Sequence, residues 1–148
     1  MTAPALRGRR AATVHSLEVA RAIAGQLVRF GLVGGLEHGR FCQPYRLGAA
    51  LDQNVVARRP PRTPGGAVVV IGAHYDGQGV DSAGRVLPGA DDNGSGVAAL
   101  MELARLLGRG AAPGLDVTII AFGGEEAGLR GSKHFVAHPT VALDTVTL

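Results

Sequence analysis

The chain has 148 residues, 46% of them hydrophobic and 18% charged, with a net charge of +3. That balance suits one modest globular core and excludes a disordered chain. The basic residues are nearly all arginines, scattered along the sequence and joined by no RNA or DNA motif. A nucleic-acid partner is therefore not expected, and Arg7, Arg9, Arg10, Arg58, Arg59 and Arg62 read as solvated surface. The single cysteine, Cys42, rules out an internal disulfide.

No apolar run is long enough to cross a membrane, so no membrane partner is expected. The basic start, Arg9-Arg10 included, is followed by no apolar stretch. No secretory leader is read there, and a cytoplasmic location is the default expectation.

Taken in order, Met1 to Ala12 reads as an irregular lead-in. Ser16 to Phe30 is predicted as an amphipathic helix, with Val19, Ile23, Leu27 and Phe30 on one side and Gly31, Gly34 and Gly35 ending it. Leu36 to Leu51 carries no single pattern and is read as an edge strand around Phe41 and Tyr45, and Gln53 to Arg58 as a short strand.

After the turn at Pro64-Gly65-Gly66, Ala67 to Ala73 is a continuous β-branched and apolar run, expected to be a strand covered on both faces. Leu115 to Phe122, entered through Pro113-Gly114, is a second such run. Between them Val97, Leu100, Met101, Ala104 and Leu107 recur at helical spacing, and Asn93 or Ser95 can cap the helix. Leu129 to His138 is predicted as a short helix stopped by Pro139, and Val141 to Leu148 as a further strand.

A strand–helix–strand unit makes its two strands parallel, so both end on one edge of the sheet, where open α/β sheets place their ligands. His74 and Asp76 follow the first strand, Glu125 and Glu126 follow the second, and Asp91 and Asp92 precede the helix. Taken singly, each has a bland explanation. His74 suits a hydrogen-bonded strand end, the two glutamates a solvated loop, and Asp91-Asp92-Asn93 a turn and helix cap. Their convergence on one edge favours a site. An imidazole among carboxylates suits a divalent metal, zinc first. Asp76 can accept the second ring N–H of His74, Asp91 can bridge two ions, and one of the two glutamates can bind metal while the other stays free as a base.

Four ordered pieces, QNVVA, VVIGAHYD, GADDNGSG and FGGEEAGLRGSKHF, resemble the co-catalytic zinc exopeptidases of the bacterial leucyl aminopeptidase type. The resemblance implies a three-layer α/β/α sandwich around a mixed, largely parallel sheet, with two zinc ions. It also implies hydrolysis of the first residue from peptides with a free amino terminus, through a metal-bound water. Carried over by position, His74 and Glu126 are ligands of different ions, Asp91 bridges both, Asp76 orients His74 and Glu125 is the general base. A cis bond is expected between Asp91 and Asp92.

The family completes its site with an aspartate and a histidine further along. Residues 1–148 are therefore expected to be the amino-terminal part of one catalytic domain, with no second domain. Asp144 falls too early to replace that aspartate, and His134 and His138 read as exposed helix-end residues. Two alternatives share these residues: a glutaminyl-cyclase-like enzyme, and a non-catalytic relative that binds peptide or a partner chain. Oligomeric state is not legible.

Overall fold

A computed structural model describes residues 1–62, 67–111 and 114–146. The turn at Pro64-Gly65-Gly66, Pro113 and the end of the Val141–Leu148 segment lie outside the described residues. Among the described residues seven strands, β1 (Val33–Gly34), β2 (Cys42–Leu47), β3 (Ala50–Arg59), β4 (Val68–His74), β5 (Gly79–Val80), β6 (Val86–Leu87) and β7 (Asp116–Phe122), combine with three α-helices. These are α1 (Val14–Arg29), α2 (Ser95–Gly108) and α3 (Arg130–Ala137).

The main sheet has five strands, running β1-β3-β7-β4 with β2 also paired to β3. β4 and β7 are parallel, in a register that sets His74 opposite Phe122. The pairs β1–β3, β2–β3 and β3–β7 are antiparallel. The sheet is thus mixed as expected, but among the described residues it is not largely parallel. β7 inserts between β3 and β4, and the tight turn between β2 and β3 permits only a reversal of direction.

Two apolar clusters define three layers. On one face Val19, Ile23 and Leu27 of α1 and Val97, Leu100 and Leu107 of α2 pack on Val55, Ala57, Val117 and Ile119 of the sheet. On the other face Phe135 of α3 meets Val56 and Ile120. The α2 stripe falls as predicted, with Met101 at its half-buried margin. Each fully buried leucine or valine of this stripe contributes about 1.5–3 kcal/mol relative to exposure. α1 begins earlier than Ser16 because Thr13 and Ser16 form a reciprocal cap. The Thr13 hydroxyl accepts from the Ser16 N–H at 3.3 Å, and the Ser16 hydroxyl accepts from the Thr13 N–H at 3.2 Å.

Three expectations are corrected. β4 is only half-buried along most of its length, because β7 is its only strand partner among the described residues. Val141 to Val146 is not a strand: Leu143–Thr145 forms a tight turn, and Val146 makes a single parallel bridge to Val68. Met1 to Ala12 is not an irregular surface lead-in. Pro4–Arg9 folds into tight turns with Arg7 and Gly8 left-handed, and Arg9 is fully buried rather than solvated. Arg58 is likewise engaged, in a two-pronged ion pair with Asp116.

Candidate metal centre

Because β4 and β7 run in parallel, the segments that leave them diverge from the same edge. The Tyr75 N–H still donates to the Phe122 carbonyl at 2.9 Å, holding the two exits together. One residue further, the fully buried Asp76 accepts from the backbone N–H of Glu125 (3.0 Å) and of Glu126 (3.2 Å) through its two oxygens. Burial pushes the Asp76 carboxyl above its usual range, while those two amides and His74 pull it back. Asp76 thus locks the backbone beneath both glutamates.

The turn Phe122-Gly123-Gly124 needs its glycines. Gly124 is left-handed (φ 63), and a Cβ there would lie 2.7 Å from the Tyr45 hydroxyl. A Cβ on Gly123 would lie 2.9 Å from the Tyr75 hydroxyl. Those hydroxyls belong to a buried network that the sequence did not reveal. Asp52 accepts from Tyr45 (3.3 Å), Tyr75 (3.4 Å) and the N–H groups of Gln53 and Ala12. Burial pushes the Asp52 carboxyl and both phenols above their ordinary values. Asn54 accepts from the Gly123 N–H at 3.2 Å and donates to the Gly131 carbonyl and the Gln43 side chain, both at 2.9 Å. A buried polar residue at alternate positions of an apolar strand, Asp52 then Asn54, was the signal that could have exposed this support.

Above this support, His74 Nε2 lies 3.0 Å from Asp92 Oδ1 and 3.8 Å from Glu125 Oε2. His74 Nδ1 is 3.6 Å from Asp76 Oδ1, too long for a hydrogen bond, and is buried without a partner. Glu126 Oε1 is also buried without a partner.

The aspartate that meets His74 is Asp92, not Asp91. From the left-handed Gly89 the chain makes one wide turn, with the Gly94 N–H reaching back to the Gly89 carbonyl at 3.1 Å. Asp92 is extended inside that turn (φ −108, ψ 96), which directs its carboxylate onto His74; Asp91 is exposed as Asp92 is, but among the described residues it forms no ion pair with His74. The cis peptide is correspondingly Asp92–Asn93, not Asp91–Asp92. Asn93 then accepts from the Gly96 N–H at 3.1 Å and supports the start of α2.

An imidazole with a carboxylate facing each nitrogen, beside a buried carboxylate oxygen that has no donor, is a set of groups a divalent cation satisfies. The residues therefore fit a metal, although among the described residues no three such groups close into a compact cage. His134 and His138 stack on each other at the end of α3, His134 against Tyr45, and neither joins His74. Asp144 is exposed in the turn after α3. No helix among the described residues is long and apolar enough to cross a membrane.

Residues 54–148 match the profile of peptidase family M28, and the chain belongs to that family. It is 38% identical over 88 residues to aminopeptidase YwaD of Bacillus subtilis, a match covering 59% of this chain and 18% of that protein. The crystal structure of glutaminyl cyclase from Porphyromonas gingivalis superposes with a TM-score of 0.72 at 26% identity, over 93% of this chain and 52% of that one. The zinc aminopeptidase BSAP of Bacillus subtilis superposes with a TM-score of 0.53 at 33% identity, over 67% of this chain and 22% of that one. The chain thus spans about a fifth of the aminopeptidase and about half of the cyclase.

Proposed function

We propose that this chain supplies part of the active centre of a zinc aminopeptidase acting on peptides with a free amino terminus. The carrying observation is the meeting of His74, Asp92 and Glu125 at the edge where β4 and β7 end, next in sequence to Glu126 with its buried unpartnered oxygen, in a member of family M28. His74 and Glu126 would hold different ions of a zinc pair, and Asp92 would serve as the shared ligand in place of Asp91. Zinc, when bound, supplies a Lewis acid that polarises the scissile carbonyl and acidifies water.

The chain's own groups do the rest. Asp76 faces the Nδ1 side of His74, so a small tightening of the 3.6 Å contact fixes the tautomer that presents Nε2 outward. Its two backbone hydrogen bonds aim Glu125 and Glu126 to the same edge. Glu125 faces His74 with a partly exposed side chain, and among the described residues no hydrogen-bond donor occupies its carboxylate. It takes the proton of the attacking water and returns it to the departing amine. The surrounding carboxylates attract the ammonium group of a peptide's first residue, which favours cleavage at chain ends.

The test is to purify the whole protein, measure zinc per chain and assay leucyl p-nitroanilide hydrolysis with and without a chelator. Chelator-sensitive hydrolysis is expected. The fit to a glutaminyl cyclase over 93% of the chain favours one second reading, cyclisation of an amino-terminal glutamine. Ammonia release from a glutaminyl peptide, with no anilide hydrolysis, would replace the first reading by the second. Zinc-free protein inactive in both assays would sink both.

A further inference from the structure

The most deeply buried cation among the described residues lies beneath this edge. Arg9 is fully buried, yet among the described residues its guanidinium forms no ion pair with a carboxylate. It donates to four main-chain carbonyls: Tyr75 from Nε at 2.8 Å, Met1 (3.1 Å) and Pro88 (2.5 Å) from Nη1, and Gly89 from Nη2 at 3.0 Å. Tyr75 sits between His74 and Asp76, while Pro88 and Gly89 open the wide turn that carries Asp92. One planar side chain therefore spans two loops that are otherwise far apart in sequence.

The grip extends to the main chain. The Gly77 N–H donates to the Arg9 carbonyl at 3.2 Å, and Arg10 bridges Gly77 in parallel. The turn closes so tightly on the guanidinium that a Cβ on Gly89 would stand 2.8 Å from Nη2. Burial alone drives the pKa of Arg9 down, and the negative field of Asp76, Asp92 and Glu126 opposes that cost. Only arginine offers a rigid fork of five donors for such a span; a lysine presents three donors at one point and cannot serve both loops.

We propose that Arg9 is a positioning residue of the metal centre, a clamp that sets the spacing between the His74–Asp76 segment and the Asp92 turn. The inference rests on the zinc reading above, but its structural half can be tested without metal. The whole protein is compared with Arg9→Lys, which keeps the charge, and with Arg9→Met. Hydrogen–deuterium exchange is followed in metal-free protein at residues 75–78 and 88–94. Zinc affinity is read by competition with a chromophoric chelator, and kcat and KM are read on leucyl p-nitroanilide.

Arg9→Lys is expected to speed exchange in both loops together, to leave α1 and α2 protected, and to weaken zinc by at least about 10-fold, the scale of outer-shell partners. kcat should fall while KM stays nearly constant. In the wild-type protein the two loops must be protected and open together. Unprotected or independent exchange there overturns the clamp whatever the variants do. Zinc affinity unchanged in folded Arg9→Lys, with only a lower thermal midpoint, overturns the link to the metal centre. If the wild-type protein binds no zinc, the functional reading fails, and the exchange data still decide whether the clamp exists.

Discussion

Two groups of polar side chains meet where β4 and β7 end, and they follow opposite rules. Below, Asp52, Asn54, Tyr75 and Asp76 are buried, and their hydrogen bonds run to named donors and acceptors within the fold. Above, His74 Nδ1 and Glu126 Oε1 are buried with no partner, and carboxylates crowd one imidazole. Satisfied polar groups define a scaffold, whereas unsatisfied ones gathered with complementary chemistry define a candidate ligand site. On the proposed reading the adjacent glutamates take different tasks, since Glu126 carries the buried unpartnered oxygen while Glu125 reaches toward His74.

The sharpest way to break that division is to neutralise each glutamate in turn. Glu125→Gln is expected to keep zinc and to lower turnover by about 10²–10⁴-fold, the range for a general base. Glu126→Gln should instead lose metal on dialysis. Metal analysis and initial rates at saturating substrate separate the two, and the reverse pattern would exchange the roles.

A second comparison lies within the upper group, between neighbours in sequence. Asp92→Asn should weaken zinc by more than about 10-fold, since it removes a charge 3.0 Å from His74. Asp91→Asn should leave zinc affinity within about twofold, because among the described residues its carboxylate forms no ion pair with His74 and surface substitutions away from such contacts cost little. Equal losses in the two variants would mean that the exposed Asp91 carboxylate also reaches the metal.

Much of this architecture was legible in the sequence because it rests on periodicity. The β4 and β7 runs, the α2 stripe and the meeting of His74, Asp76, Glu125 and Glu126 on one edge all follow from parallel pairing. What escaped depends on local geometry finer than a pattern. In Asp91-Asp92-Asn93 three polar residues are interchangeable to a pattern, and only the dihedral angles of the wide turn select Asp92. Arg9 looked like surface charge because its partners are carbonyls, and a carbonyl acceptor leaves no mark on the sequence. Asp52 was hidden because its partners Tyr45, Tyr75 and Ala12 come from three separate segments.

The scaffold can be probed through Asn54, which holds the Gly123 N–H below the two glutamates and the Gly131 carbonyl at the start of α3. Asn54→Leu removes both partners without leaving a large void. It should cost about 1–3 kcal/mol for each buried group left unpaired, seen as a lower urea midpoint. An unchanged midpoint would show that Gly123 and Gly131 find other partners.

The smallest expected effect tests whether the lower group is satisfied as a neutral or a charged network. Burial raises the Asp52 carboxyl above its unfolded value of about 3.9, against the pull of its four donors. A carboxyl whose folded pKa is raised gives its full stabilising contribution below the unfolded value and loses it as pH rises through the folded one. Asp52→Asn does not titrate and turns an N–H donor toward the N–H groups of Ala12 or Gln53. The wild-type protein should therefore exceed the variant in stability by most near pH 4, by about 1–3 kcal/mol for the unsatisfied donor, and the gap should narrow toward neutral pH. Paired urea titrations across that range measure it, with all other carboxylates common to both proteins and cancelling. A gap that widens with pH would mean that the hydroxyls and amides around Asp52 outweigh its burial and hold it as a carboxylate.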